Sequence, residues 1–291
     1  MTSNKTLKNL LALPLFFLTG VIPFLVGTFL AGVAGFPVHW GVFLAGVLAL
    51  AALILAAGGS RLAFAPAEGR WPGQGLLSSK DAQILAYAGV GLATALGLIL
   101  RFWAGTGIWT IPLGGYGILC SYFYFAPPFK WYQRGLGEFL SGLSFGLLPV
   151  AAGLYLQTGH LLTEVLLYGL PLSCTGFNLL LIYGFPHLEE EAPAPRHGLV
   201  AKVGPVAGAL IYTLMNILAI VGLVVALLFP ANPLPFRVGF ILLIVLAVIN
   251  QELIKRKDYL REAGIDRLCR LTLAQHLAMG LVFVISLWHR W

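Results

Sequence analysis

The chain has 291 residues, of which 59% are apolar and 10% charged, and its formal net charge is +7. So apolar a composition excludes a soluble domain and points to a polytopic membrane protein. The positive charge does not imply nucleic-acid binding, because it is sorted along the chain as membrane topology sorts it.

A transmembrane helix needs about 20 mostly apolar residues. Nine segments meet that need: Leu10–Gly32, Trp40–Ala57, Ala82–Trp103, Ile108–Phe125, Phe139–Leu156, Leu166–Phe185, Pro205–Phe229, Phe236–Leu253 and Leu271–Trp288. The first is too long for a signal h-region, and no small-residue cleavage site follows it, so no cleaved leader is expected. The N-terminus and the loops after even-numbered segments hold all of the 18 Lys and Arg except Arg101, Arg237 and Arg290. Ten of the 11 acids, all but Glu164, lie on that same side. The positive-inside rule therefore predicts a cytoplasmic N-terminus, a C-terminus on the opposite side and chemistry at the cytoplasmic face. The expected architecture is all-α: nine transmembrane helices in a single domain over residues 1–291. The 35 glycines suit close helix packing. Cys120, Cys174 and Cys269 fit neither a disulfide framework nor a zinc site and read as buried thiols.

Four cytoplasmic loops are expected, at about residues 58–81, 126–138, 186–204 and 254–270. The first, GGSRLAFAPAEGRWPGQGLLSS, has one carboxylate, Glu68, before Asp81. In the second, Pro127 and Pro128 end a helix, and Lys130, Arg134 and Glu138 follow the rings of Tyr122, Phe123, Tyr124 and Phe125. Fixed cations beside aromatic faces suit a ligand with an anionic head and an unsaturated body. The plainer reading is a positive-inside loop with an interfacial aromatic belt. The third loop, FPHLEEEAPAPRHGLVAKVG, sets Glu189, Glu190 and Glu191 before Arg196, His197 and Lys202. Read by itself, this is a solvated acidic loop broken by Pro193 and Pro195. The fourth, KRKDYLREAGIDRLCR, alternates charge like a short interfacial helix. Inside the spans, Asn178 and Asn216 either line a cavity or hydrogen-bond between helices.

The run YFAPPFKWYQRGLGE followed by GLSFGLLPVAAGLYLQTG resembles the UbiA superfamily of intramembrane aromatic prenyltransferases. Its nearest branch is the one that prenylates 1,4-dihydroxy-2-naphthoate in menaquinone synthesis. That resemblance implies nine helices and transfer of a polyprenyl chain from a prenyl diphosphate to an aromatic acceptor. It assigns Lys130 and Arg134 to the diphosphate, with Arg196 and Lys202 in support. Tyr122 and Tyr124 would line the allylic chain, Asn178 the cavity, and Glu68, Glu189, Glu190 and Glu191 would hold Mg²⁺. Two departures stand out. Where the family has an Asn-Asp-x-x-Asp-x-x-x-Asp motif, Phe64, Ala65, Glu68 and Pro72 stand here. In the second acidic motif His187 takes the first Asp, while Glu191 keeps the second. The alternative expectation is therefore a family member without turnover, one that binds a quinone, isoprenoid or other lipid or joins a membrane complex.

Overall fold

The structure, a computed structural model, describes residues 3–65, 77–185, 198–228 and 234–291. Among them there is no strand. The helices are α1 Ser3–Val33, α2 Trp40–Phe64, α3 Ser79–Leu98, α4 Thr110–Phe123, α5 Gly137–Phe145, α6 Leu147–Thr158, α7 Val165–Tyr183, α8 Leu199–Val203, α9 Pro205–Leu228, α10 Leu234–Lys255 and α11 Glu262–Arg290. α3 runs on through a wider turn at Ile99–Trp103. Every predicted apolar segment lies on a helix. Seven of them, taking α5 and α6 as one, are long and apolar enough to cross a bilayer. The apolar part of α1, Phe17–Val33, is shorter, and α4 has only 14 residues.

Helix ends differ from the expected loops where local chemistry overrides composition. α2 carries the turn Gly58–Arg61 inside it and stops at Ala65, whose backbone is extended (ψ 147°). The fifth span breaks at Gly146, between α5 and α6. There a Cβ would lie 2.2 Å from the backbone nitrogen of Ser173, so only glycine lets α7 come so close. The Ser173 hydroxyl accepts the Leu147 amide at 2.8 Å, which satisfies the restarted helix. The charged stretch after α10 is not a separate interfacial helix. It forms a short turn at Asp258–Leu260 and then the first turns of α11, because Ile265 and Leu268, three residues apart, are both buried and continue the apolar side of that span.

Successive spans run antiparallel, so the loops gather at two ends. At one end the Ser60 hydroxyl reaches the Ser121 carbonyl, Lys202 reaches the chain at Arg134, and Phe185 packs on Tyr259. At the other, the Gln157 Oε1 accepts the His39 amide at 2.8 Å, Trp109 N–H donates to the Tyr155 hydroxyl at 3.0 Å, and Trp40 packs on Trp291. The main core joins α1, α6, α7, α9, α10 and α11 around Val26, Leu154, Leu172, Leu223, Phe240 and Phe283. A second cluster, with Leu181, Ile182, Phe185, Val200, Tyr212 and Leu268, lies beneath the first end. Several polar side chains inside the bundle bond to one another or to the backbone of a neighbouring helix. Asn216 Nδ2 donates to the Ala247 carbonyl (2.8 Å), Gln275 Nε2 to Asn216 Oδ1 (3.1 Å) and Asn250 Nδ2 to Gln275 Oε1 (2.7 Å). These amides tie α9, α10 and α11 together, as interhelical hydrogen bonds do in a medium that offers no water.

Candidate functional site

The site is built where the chain leaves α4. Two sets of rings frame it. Tyr87 and Phe64 pack on Tyr122, with centroids 5.8 and 6.2 Å away. Tyr122 packs edge-on against Phe123, Phe123 against Phe129, and Phe129 stacks on Trp131 at 5.4 Å. Inside this row Tyr132 folds back over Tyr124 and Phe125, 6.5 and 5.2 Å away, and its amide donates to the Tyr124 carbonyl. The guanidinium of Arg61, from the last turn of α2, lies 5.6 Å from the Phe125 ring centre.

The loop between these rings is held by its own backbone. Past Pro127 and Pro128, joined by a cis peptide, Lys130 adopts a left-handed conformation (φ 44°, ψ 55°) and starts a tight turn at Trp131–Gln133. That region is sterically costly for a residue with a Cβ. It is pinned by Lys130 N–H to Ala126 O (3.1 Å) and Gln133 N–H to Lys130 O (2.9 Å). Arg134 Nη2 donates back to the Pro128 carbonyl at 3.3 Å and closes the loop. Lys130 is half-buried, and Arg134 is exposed.

Two hydrogen bonds join this loop to the segment that enters α9. Lys202, on α8, donates its ammonium to the Arg134 carbonyl. Glu138, in the first turn of α5, accepts the Leu199 amide on Oε1 at 2.7 Å. Gly198 makes that approach possible: its φ is +93°, and a Cβ there would sit 2.9 Å from Glu138 Oε1. Glu138 is 5% exposed, and its Oε2 is buried with no hydrogen-bond partner. Past the end of α4, burial first and then the Glu138 carboxylate hold the Tyr124 phenol above its ordinary range, with Arg61 pulling the other way. Tyr124 therefore stays neutral at physiological pH.

The sequence-predicted residues Tyr122, Tyr124, Lys130, Arg134 and Lys202 thus come together at one end of the bundle. Asn178 does not join them by a direct bond. It sits within α7, donates from Nδ2 to the Tyr212 carbonyl at 3.0 Å, and keeps a buried, unpaired Oδ1. Glu68, Glu189, Glu190, Glu191 and Arg196, with His187, lie outside the described residues. Among the described residues no group of three or more His, Cys, Asp or Glu side chains is placed to hold a metal. Among the described residues Glu138 is the single carboxylate at the site, so it does not form a Mg²⁺ site by itself; the acids expected to do so lie outside the described residues. Sequence reasoning assigned no role to Glu138. The available signal was an acid opening an otherwise apolar, glycine-rich segment, where burial demands a partner.

Chemically, the end of the bundle offers an ammonium, a guanidinium and a second ammonium beside stacked rings. Such a face is chemically able to bind phosphate oxygens through charge-assisted hydrogen bonds, and its rings to accommodate an unsaturated chain or a delocalised cation.

Comparison with known proteins follows the same line. The sequence model of the UbiA prenyltransferase family matches residues 69–264. A 2-carboxy-1,4-naphthoquinone phytyltransferase from Synechocystis sp. is 28% identical over 123 residues, which cover 42% of this chain and 40% of that relative. Among solved structures, a UbiA homologue from Aeropyrum pernix K1 superposes with a TM-score of 0.70 at 16% identity, over 93% of this chain and 97% of the other. A UbiA homologue from Archaeoglobus fulgidus, bound to GPP and Mg²⁺, gives a TM-score of 0.55 at 15% identity, over 97% and 99%. At these identities the two structures speak for the fold alone.

Proposed function

The chain belongs to the UbiA prenyltransferase family, and from that premise we propose that it transfers a prenyl group from a prenyl diphosphate to an aromatic, naphthoquinone-type acceptor in quinone biosynthesis. The observation that carries the reading is the Lys130–Arg134 loop: cations held by a constrained backbone, against a row of rings, and tied to Lys202. The partial match to a naphthoquinone phytyltransferase and the fold shared with a GPP-bound homologue support this reading. We place nine crossings in the bilayer, with α1 and α4 completing the seven long spans, and the N-terminus and the site on the cytoplasmic side.

In the reaction, the allylic carbon–oxygen bond breaks and the diphosphate leaves with the electron pair. A ring carbon of the acceptor supplies the electron pair of the new bond to the chain, and the group on that carbon leaves without its bonding pair, as a proton or, from a carboxylate, as CO₂. Lys130 and Arg134 bind the diphosphate oxygens, and Lys202 holds the loop while adding positive charge beside it. Tyr122, with its ring neighbours, shields the allylic cation from water and presents π faces to it. Tyr124, a neutral phenol, orients the loop without adding negative charge near the leaving group. Mg²⁺, held by Glu191 with Glu189, Glu190 and Glu68, would supply further neutralisation of that leaving group.

The test is diphosphate release by purified protein in detergent, given Mg²⁺, prenyl diphosphates of several lengths and dihydroxynaphthoate-type acceptors. Release that needs both substrates supports the reading; no release with any pair would sink it. A second reading, a quinone- or isoprenoid-binding member without turnover, is favoured by Ala65 and His187 standing where the family carries acids. Magnesium-dependent turnover by the unmodified chain excludes it.

A further inference from the structure

We propose that Glu138 is a positioning residue that clasps the segment entering α9 onto the Lys130–Arg134 loop, so that the two loops present one substrate-binding face. The inference rests on the prenyl diphosphate reading above and assigns a role to a residue that the reading leaves unused.

Three observations converge on it. Glu138 is a buried acid, 5% exposed, at the start of α5, immediately after the loop that carries Lys130 and Arg134. Burying an ionised carboxylate is costly unless donors meet it. The donor present is the backbone amide of Leu199, the first residue of α8, at 2.7 Å. That amide has no partner within its own helix, so the bond satisfies both groups at once. Next, the backbone around it is shaped for this contact. Gly198, at φ +93°, brings the chain within reach, and any Cβ there would crowd the carboxylate oxygen. Finally, the clasp is doubled four residues along, where Lys202 donates to the Arg134 carbonyl. Val200, fully buried between the two contacts, anchors α8 in the cluster beneath.

The consequence is mechanical. α8 follows in sequence on residues 186–197, the stretch with Glu189, Glu190, Glu191 and Arg196, which lies outside the described residues. Glu138 sets where α8, which carries Lys202, begins relative to Lys130 and Arg134. The second oxygen, Oε2, stays buried with no hydrogen-bond partner among the described residues, so what Glu138 contributes to the attachment is the one hydrogen bond that Oε1 accepts. Losing it leaves a buried carboxylate or a buried amide without a partner, an effect larger than the bond itself.

The test uses the full chain in detergent and four variants: Glu138→Ala, Glu138→Gln, Leu199→Pro and the double Glu138→Ala/Leu199→Pro. Proline at the first position of a helix removes the donor while suiting the local backbone, and the extended ψ of Gly198 (176°) tolerates a following proline. Geranyl diphosphate binding is measured by titration, and amide exchange is followed over residues 198–204. The clasp predicts roughly tenfold weaker binding in both Glu138→Ala and Leu199→Pro. The double variant should be no weaker than either single one, since both remove the same bond. Glu138→Gln, which keeps the accepting oxygen, should stay within about threefold of the original. Exchange at residues 198–204 should quicken in Glu138→Ala and not in Glu138→Gln. Additive losses, or binding lost equally in Glu138→Gln, would overturn the clasp. If the unmodified chain binds no geranyl diphosphate, the prenyl diphosphate reading fails on its own. Exchange then decides for the clasp, and unchanged protection in Glu138→Ala refutes it.

Discussion

Replacing Lys130 by alanine and, separately, by glycine parts what its ammonium does from what its backbone costs. Lys130 sits at φ 44°, ψ 55°, a left-handed conformation that a Cβ disfavours by about 1–2 kcal/mol. Alanine keeps the Cβ and therefore the strain. Glycine escapes it, at the expense of about 0.5–1 kcal/mol more chain entropy lost on folding. The glycine variant should therefore be more stable than the alanine variant by about 1 kcal/mol. Binding should behave differently. Both variants delete the same ammonium, and a charge-assisted hydrogen bond to phosphate contributes about 1.5–3 kcal/mol. Geranyl diphosphate should thus bind about tenfold to a hundredfold more weakly to both, to the same extent. Thermal unfolding in detergent reads the first effect and titration the second. The reasoning is refuted if the glycine variant melts below the alanine variant, or if either binds geranyl diphosphate as the unmodified chain does.

Other expectations follow from the same geometry. Arg134→Lys keeps the charge but loses the guanidinium bond to the Pro128 carbonyl, so diphosphate release should fall nearly as far as in Arg134→Ala. Gly153→Ala would put a Cβ 2.1 Å from the Phe24 carbonyl oxygen and force α6 off α1, costing about 3 kcal/mol; a thermal melt checks it. Gly91→Ala, on α3, meets nothing within 4 Å and should stabilise by about 1 kcal/mol in the same assay. Asn216→Ala strips partners from the Gln275 amide and the Ala247 carbonyl, and should lower unfolding stability by about 1 kcal/mol without changing diphosphate affinity. Chelating magnesium should abolish diphosphate release on the prenyltransferase reading; release unchanged by EDTA would mean that cations alone meet the leaving group.

Much of this protein is read directly from its residues, for a physical reason. A bilayer demands long apolar helices with every backbone group satisfied internally, so all the predicted apolar segments from Leu10–Gly32 to Leu271–Trp288 fall on helices. The alternation of basic and plain loops then sorts the chain into two ends. The signature loop from Tyr124 to Glu138 also carries its own chemistry, since its prolines, rings and cations are local features. Helix limits were less predictable. The charged start of α11 shows why: Ile265 and Leu268 are buried only because another part of the chain covers them.

By itself, then, the sequence determined an all-helical membrane chain, the end at which its cations collect and the family to which it belongs. Only the tertiary structure decided that Lys202 meets Arg134, that Asn178 answers the Tyr212 carbonyl, and that Glu138 is buried against the Leu199 amide. Those contacts join residues that are 68, 34 and 61 positions apart. Hydropathy and spacing act over one helix or one loop. Which loop meets which is settled by how the helices pack, and here that packing depends on glycines whose partners are backbone atoms of other helices.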